Sequence, residues 1–239
     1  MESWRTPNTY LTAGAGGGPP PQLPRDPGQP RGLVADLRHQ EGTHRSLCPK
    51  PGVFEIVDVP EMVFLMVDGH GDPNTSVARR EAVEALYAAS YAVPAVGKKT
   101  LGRVHTVAPL EGLWSAEDLD VFRTRDESAW DWTLMIAQPD WTTLAIVDDA
   151  LAVAQKKKQL PALGLVRFER YTEGRSAQIL HIGSYDDEGP PLQRLHGEFL
   201  PVDGLAPVGR HHEIYLSDAR KTEPAKLRTI LRQPVTAVT

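Results

Sequence analysis

The chain has 239 residues, 41% of them hydrophobic and 24% charged, with a formal net charge of −5. That is enough apolar matter for one compact domain or two small fused ones, and the wrong sign for binding nucleic acid by bulk electrostatics. A single cysteine, Cys48, excludes an internal disulfide and a multi-cysteine zinc cage; no apolar run nears the ~20 residues of a membrane span and no secretory signal opens the chain, so a soluble, cytoplasmic protein is expected.

The first 32 residues hold 6 Gly and 7 Pro, about three times the density of the remainder. With almost nothing apolar to bury, residues 1–32 read as a disordered tail or the product of a misassigned start. Residues 33–50 read as a connector and 51–239 as the folded domain. Phe54 to Val59 alternates as a strand until Pro60 interrupts it. Met62 to Val67 is a buried strand by its length and flanks. Asn74, Thr75 or Ser76 caps a helix carrying Ala82, Val83 and Leu86, which Pro94 and Gly97 should end. Strands are expected over 103–114, interrupted by Pro109, and over 130–137. A second helix covers about 143–158, and its Lys156–Lys157–Lys158 complements the macrodipole.

The pattern then restarts. Leu165 to Tyr171 and Ala177 to Gly183 read as strands. Ser184 to Gly189 is a turn, and Pro190 opens a short helix with Leu192, Leu195 and Phe199. Arg210 to Ser217 and Thr229 to Val235 complete the set. Leu134–Met135–Ile136–Ala137–Gln138–Pro139 echoes Thr229–Ile230–Leu231–Arg232–Gln233–Pro234. A degenerate repeat follows, with modules near 51–142 and 160–239. The fold class is α+β: two strand–helix–strand–strand modules with pseudo-twofold symmetry and a ligand cleft between them.

From residue 52 onward the sequence resembles the GyrI-like small-molecule-binding domain in its stand-alone branch. The resemblance rests on Ile56 to Met62, Asp68–Gly69–His70–Gly71–Asp72–Pro73–Asn74–Thr75, Leu86–Tyr87 and Leu110–Glu111–Gly112–Leu113–Trp114. It continues through Trp132 to Ile136, Gln178–Ile179–Leu180–His181–Ile182–Gly183, His211–His212–Glu213–Ile214–Tyr215–Leu216–Ser217–Asp218 and Thr229 to Val235. Two turn positions depart from the family pattern, Ser184 and Ala219, where Pro is common. The resemblance implies binding of bulky, flat, hydrophobic molecules. In one branch it implies hydrolysis of the cyclopropane of DNA-alkylating natural products, hence drug resistance. Sequestration of lipophilic cations and modulation of gyrase as an interaction protein are the alternatives. No helix-turn-helix is readable before residue 50, which weakens a regulator role.

Glu213 is the first candidate for chemistry, because an acid inside a strand is unfavourable without a purpose. A carboxylate in a partly dry aromatic cleft can attract a cation or act as a base, and the resemblance places the family's ligand-binding acid in this motif. The competing reading is a carboxylate on the solvent face of an edge strand, or one paired with Arg210 or His211. Tyr215 and His211 share its face by parity and His212 faces away, so Tyr215 could orient a water or stabilise a developing phenolate. That split of neighbours, with no further clustered ligands, argues against a metal, and no cofactor is expected. Trp114, Trp130, Trp132, Tyr87, Tyr91 and Tyr185 are candidate cleft walls, with core packing as the alternative for most. The partner expected is a hydrophobic aromatic small molecule, with neither nucleic acid nor membrane, and the chain is expected to be a monomer or weak homodimer. Gly69–His70–Gly71 is too short for a phosphate loop, and no nucleophile elbow surrounds Ser217.

Overall fold

The computed structural model describes residues 49–116 and 127–238. The expected tail, most of the connector and Cys48 lie outside the described residues.

The first strand, β1, is Glu55–His70, one element of 16 residues rather than two split at Pro60. Proline is tolerated there because the ladder to the fourth strand passes from Val59 opposite Gly174 to Glu61 opposite Thr172, skipping the residue that has no N–H. Helix α1, Val77–Leu101, starts at Ser76, whose hydroxyl accepts from the Arg79 amide at 3.1 Å. It runs through Pro94 and Gly97, where the sequence reading ends it, and stops at Gly102, which adopts φ +67°. Gly97 is a packing position instead: a Cβ there would lie 2.6 Å from the Trp141 ring. The buried face from Ala82 to Val96 holds the helix across the proline.

Strand β2 is Leu110–Ser115, shorter than expected, since neither neighbouring strand pairs with residues 103–109. Strand β3 is Asp131–Gln138, and helix α2 is Leu144–Lys157, capped by Thr143. Strand β4, Arg167–Ile182, is again one 16-residue element where two are expected, continuous through Gly174 at φ +74°. Helix α3, Gly189–Arg194, continues through a π turn at Leu195–Phe199 into α4, Leu200–Val202. Strands β5 (Leu205–Pro207), β6 (His211–Tyr215) and β7 (Arg228–Ala237) follow.

The sheet runs β4-β1-β3-β2-β6-β7-β5, every pairing antiparallel, and an additional β4–β7 ladder closes it into a barrel-like arrangement. Alternation divides each strand between two environments. Leu65 and Val67 of β1, with Leu134 and Ile136 of β3, pack on α1 and α2. Phe64 and Met66 point the other way, against Leu113 and Met135. On the second half, Ala177 and Val235 pack on Leu195 and Leu200 of the α3–α4 segment. No described helix is long and apolar enough to cross a membrane.

Candidate functional site

β6 places His211, Glu213 and Tyr215 on the outer face and turns His212 and Ile214 inward, as the strand period demands. Tyr215 Oη donates to Glu213 Oε2 at 2.7 Å. His211 Nε2 lies 3.6 Å from Glu213 Oε1, within ion-pair range but too long for a hydrogen bond. The register sets Gly112 of β2 opposite Glu213, and Trp114 opposite His211. A Cβ on Gly112 would stand 3.0 Å from Trp114 Nε1 and 3.2 Å from Tyr215 Oη. The bare backbone of Gly112 is therefore the floor on which these two side chains meet.

The turn before α3 brings a second acid. Glu188 is buried, at 6% exposure, and its Oε1 has no hydrogen-bond partner. Burial first, then the nearby Glu213 carboxylate, pushes its pKa far above the ordinary glutamate value, so it is held protonated near neutrality. From the same turn, the Tyr185 ring meets Tyr215 edge-on at 5.7 Å. Burial, then the Glu213 charge, raises Tyr215 well above ten, and burial with Glu188 raises Tyr185 to about 12. Both phenols therefore remain donors.

From α1, the Arg79 guanidinium lies 5.9 Å from the centroid of the Trp114 ring, a cation–π distance. One guanidinium N–H donates to the Pro73 carbonyl at 3.3 Å. Trp130 meets Trp114 edge-on at 5.7 Å. Tyr87 and Tyr91 stack at 6.0 Å, and burial with Tyr91 raises Tyr87 to about 12. Tyr87 also feels the charge of Asp218, just beyond β6.

The structure thus brings Glu213, Tyr215, His211, Trp114 and Tyr185 to one region, with Trp130 against Trp114. Trp132 shares their face of the sheet and is 2% exposed, against 5% for Trp114 in the same core cluster. The Trp132 ring lies flat on Gly69, where a Cβ would be only 2.1 Å from it, as part of the core under α1. Three residues of the site escape a reading along the sequence: Glu188, hidden in an acidic turn; Arg79, an ordinary helix cation; and Gly112. The signal for Gly112 is its place between alternating large residues of β2, where a strand glycine marks a close approach.

The inward neighbour His212 belongs to a different assembly inside the barrel. Its Nδ1 bonds Glu173 at 2.9 Å and its Nε2 bonds Glu111 at 2.9 Å. Arg232 bonds Glu173 and Gln178, each at 3.0 Å, and Gln178 donates to Glu55 at 2.8 Å. Burial opposes the imidazolium, but Glu173 and Glu111 outweigh it and lift His212 to about 9. Burial likewise opposes the Glu173 charge, and His212 with Arg232 still holds that carboxyl at about 2. Among the described residues no group of His, Cys, Asp or Glu is arranged for a metal ion. An open depression of about 410 Å³, between Pro51, Leu180, Ile182 and Pro190, lacks both acids and large aromatic rings.

Residues 53–236 match the model of the GyrI-like small molecule binding domain. The fold is similar to an uncharacterized conserved protein from Listeria innocua, at 38% identity and TM-score 0.73, over 79% of this chain and 94% of that one. It is also similar to two hydrolases from Listeria innocua at 36% identity. One has TM-score 0.70 over 80% of this chain and 95% of that one, the other 0.68 over 79% and 94%. No curated protein matches the chain. The family model spans the whole barrel and both helical layers, so the surface around Glu213, Glu188 and Tyr215 lies inside the matched domain. The chain belongs to the GyrI-like small molecule binding domain family.

Proposed function

We propose that the protein captures bulky, flat, hydrophobic small molecules over Glu213, in a cleft between two strand–helix–strand–strand halves, and hydrolyses an activated cyclopropane there, conferring resistance to a DNA-alkylating compound. The element order supports the two halves: β1-α1-β2-β3 is followed, after α2, by β4-α3-β6-β7, with α4 and the edge strand β5 inserted between α3 and β6. Exchanging β1 with β4, β2 with β6 and β3 with β7 leaves the set of pairs among these six strands unchanged, in keeping with a pseudo-twofold relation. One half supplies Trp114, Arg79 and Tyr87 to the cleft, and the other supplies Tyr185, Glu188, Glu213 and Tyr215.

The observation that carries the chemistry is Glu213 held by Tyr215 beside a second, buried acid. Burial and the neighbouring Glu213 push Glu188 upward, which favours its neutral form. Glu213 Oε2 accepts from Tyr215, so Oε1, with His211 Nε2 3.6 Å away, is the oxygen left to accept from a water. That water oxygen attacks a ring carbon of the cyclopropane as Glu213 takes its proton. The strained carbon–carbon bond breaks, and its electron pair moves through the conjugated system onto a carbonyl oxygen. Return of the proton to that oxygen completes the net addition of one water. Positioning over aromatic rings and a single base suffice for an electrophile strained in this way. The relation to two hydrolases at 36% identity supports turnover over storage.

Binding alone, with Glu213 as counter-ion to a lipophilic cation, is the second reading, favoured by the aromatic rings around the acid. Incubation with cyclopropane-bearing alkylators and planar cations, followed by mass spectrometry, separates the two. Gain of one water by the alkylators supports hydrolysis. Saturable binding with no mass change supports sequestration.

A further inference from the structure

The Tyr215 hydroxyl hydrogen is committed to Glu213, so this phenol does not serve an oxygen on the ligand. Other groups of the site are uncommitted: Arg79 Nε, Trp114 Nε1 and both ring nitrogens of His211 are buried without a hydrogen-bond partner. Of these, the Arg79 guanidinium lies over the Trp114 ring itself. Arg79 makes no ion pair with Glu213 or Glu188, although its charge acts on Tyr215 and Tyr185 beside them. An unpaired buried donor is destabilising, so it marks a place where a partner is missing. The region therefore has two poles: a carboxylate at Glu213, bonded by Tyr215, and an unfilled guanidinium–indole pair at Arg79 and Trp114, with the Trp114 indole and the Tyr215 hydroxyl meeting over Gly112.

We propose that Arg79, assisted by Trp114 Nε1, is the specificity-determining donor of this site, receiving a carbonyl or phenolic oxygen of a neutral, flat aromatic ligand. The proposal rests on the reading of the Glu213 region as the ligand site. It deepens that reading by naming the ligand class: neutral and oxygen-bearing rather than cationic. The charges agree with it. With Glu188 protonated, Glu213 and Arg79 cancel, and a cation would meet a guanidinium at the opposite pole. A neutral ligand whose oxygen gains negative charge as its ring opens meets a positive donor already in place.

The test uses two probes of the same shape, N-methylacridone, which is neutral with a carbonyl, and N-methylacridinium, which is cationic without one. Affinities are measured by fluorescence for the full-length wild type, Arg79→Met and Gly112→Val, with circular dichroism as the check of folding. We expect wild type to prefer the acridone, and Arg79→Met to weaken it by about tenfold or more while leaving the acridinium unchanged or tighter. The carbonyl stretch of bound acridone should lie at lower frequency in the wild type than in Arg79→Met, which a merely structural role of Arg79 does not produce. Gly112→Val should block both probes. Equal effects of Arg79→Met on the two probes, or an unmoved carbonyl band, with Gly112→Val still blocking both, overturns the assignment of Arg79 alone. Unhindered binding of both probes to folded Gly112→Val, or no binding of either to wild type, overturns the ligand site itself and the proposal with it.

Discussion

Tyr215 donates its phenolic hydrogen to Glu213 across 2.7 Å, from two residues along the same strand and the same face. The bond fixes one oxygen of the carboxylate and leaves the other 3.6 Å from His211 Nε2. With Glu213 as the proposed base, Tyr215 is its proposed positioning residue. Tyr215→Phe removes the bond and keeps the ring. Hydrolytic turnover should fall by about tenfold or more, with affinity for a neutral planar ligand within a few-fold. An equal loss of affinity and turnover would make Tyr215 a ligand contact instead.

Glu188 is buried as a neutral acid beside Glu213. A carboxyl whose folded pKa is raised above its ordinary 4.5 loses stability as pH climbs above that value, because only the unfolded chain ionises freely. Glu188→Gln keeps the shape of the neutral form and removes this penalty. Its thermal stability should exceed wild type at pH 8, by on the order of 1–3 kcal/mol, and converge with it near pH 4. A variant no more stable at pH 8 than at pH 4, relative to wild type, would show that Glu188 is ionised in the fold.

His212 provides the opposite charge sign inside the barrel. Its folded pKa of about 9 stands above the ordinary 6.5, so the bound proton stabilises fully below 6.5 and the benefit fades as pH rises through about 9. The groups that face it are Glu111 on β2, Glu173 on β4 and Arg232, opposite it on β7. In the Glu188→Gln background the remaining loss of stability between pH 6.5 and 9 should be on the order of a few kcal/mol. Histidine NMR should find this ring protonated at pH 7.5. A neutral imidazole there would contradict the network.

Gly112 is where Trp114 and Tyr215 converge, with contacts to a Cβ of 3.0 and 3.2 Å already tighter than ordinary packing. Gly112→Ala should push these rings apart at a cost of about 1–3 kcal/mol in stability. It should weaken planar ligands more than it weakens the fold, as read by titration beside thermal melts. Unchanged affinity would place the ligand away from β2.

Much of the frame is legible in the sequence. The period of two along His211 to Tyr215 puts Glu213 with Tyr215 and sends His212 away, and the caps at Ser76 and Thr143 are where polar residues precede apolar stripes. The long strands β1 and β4 are less legible. Pro60 reads as a break, and Leu165–Tyr171 and Ala177–Gly183 read as separate strands, yet the ladder between β1 and β4 runs on and omits only the hydrogen bond that proline cannot make. Pro94 likewise fails to end α1, because tertiary burial on both sides outweighs one lost bond. The companions of Glu213 are the least legible, since Glu188 comes beside it and Arg79 over Trp114 only through tertiary packing. Trp132 shows the converse: its parity matches the site, but Gly69 opens a space for it in the core.

The central claim is that Glu213 acts as a base. The most direct measurement is single-turnover mass spectrometry of a neutral cyclopropane alkylator with wild type and Glu213→Gln, with affinity for the same compound taken in parallel. The amide keeps size and shape and removes basicity. The account predicts that gain of water slows by about 10²–10⁴ while affinity stays within a few-fold. Unchanged turnover in a folded Glu213→Gln would contradict it and return this carboxylate to a bystander on the face of β6.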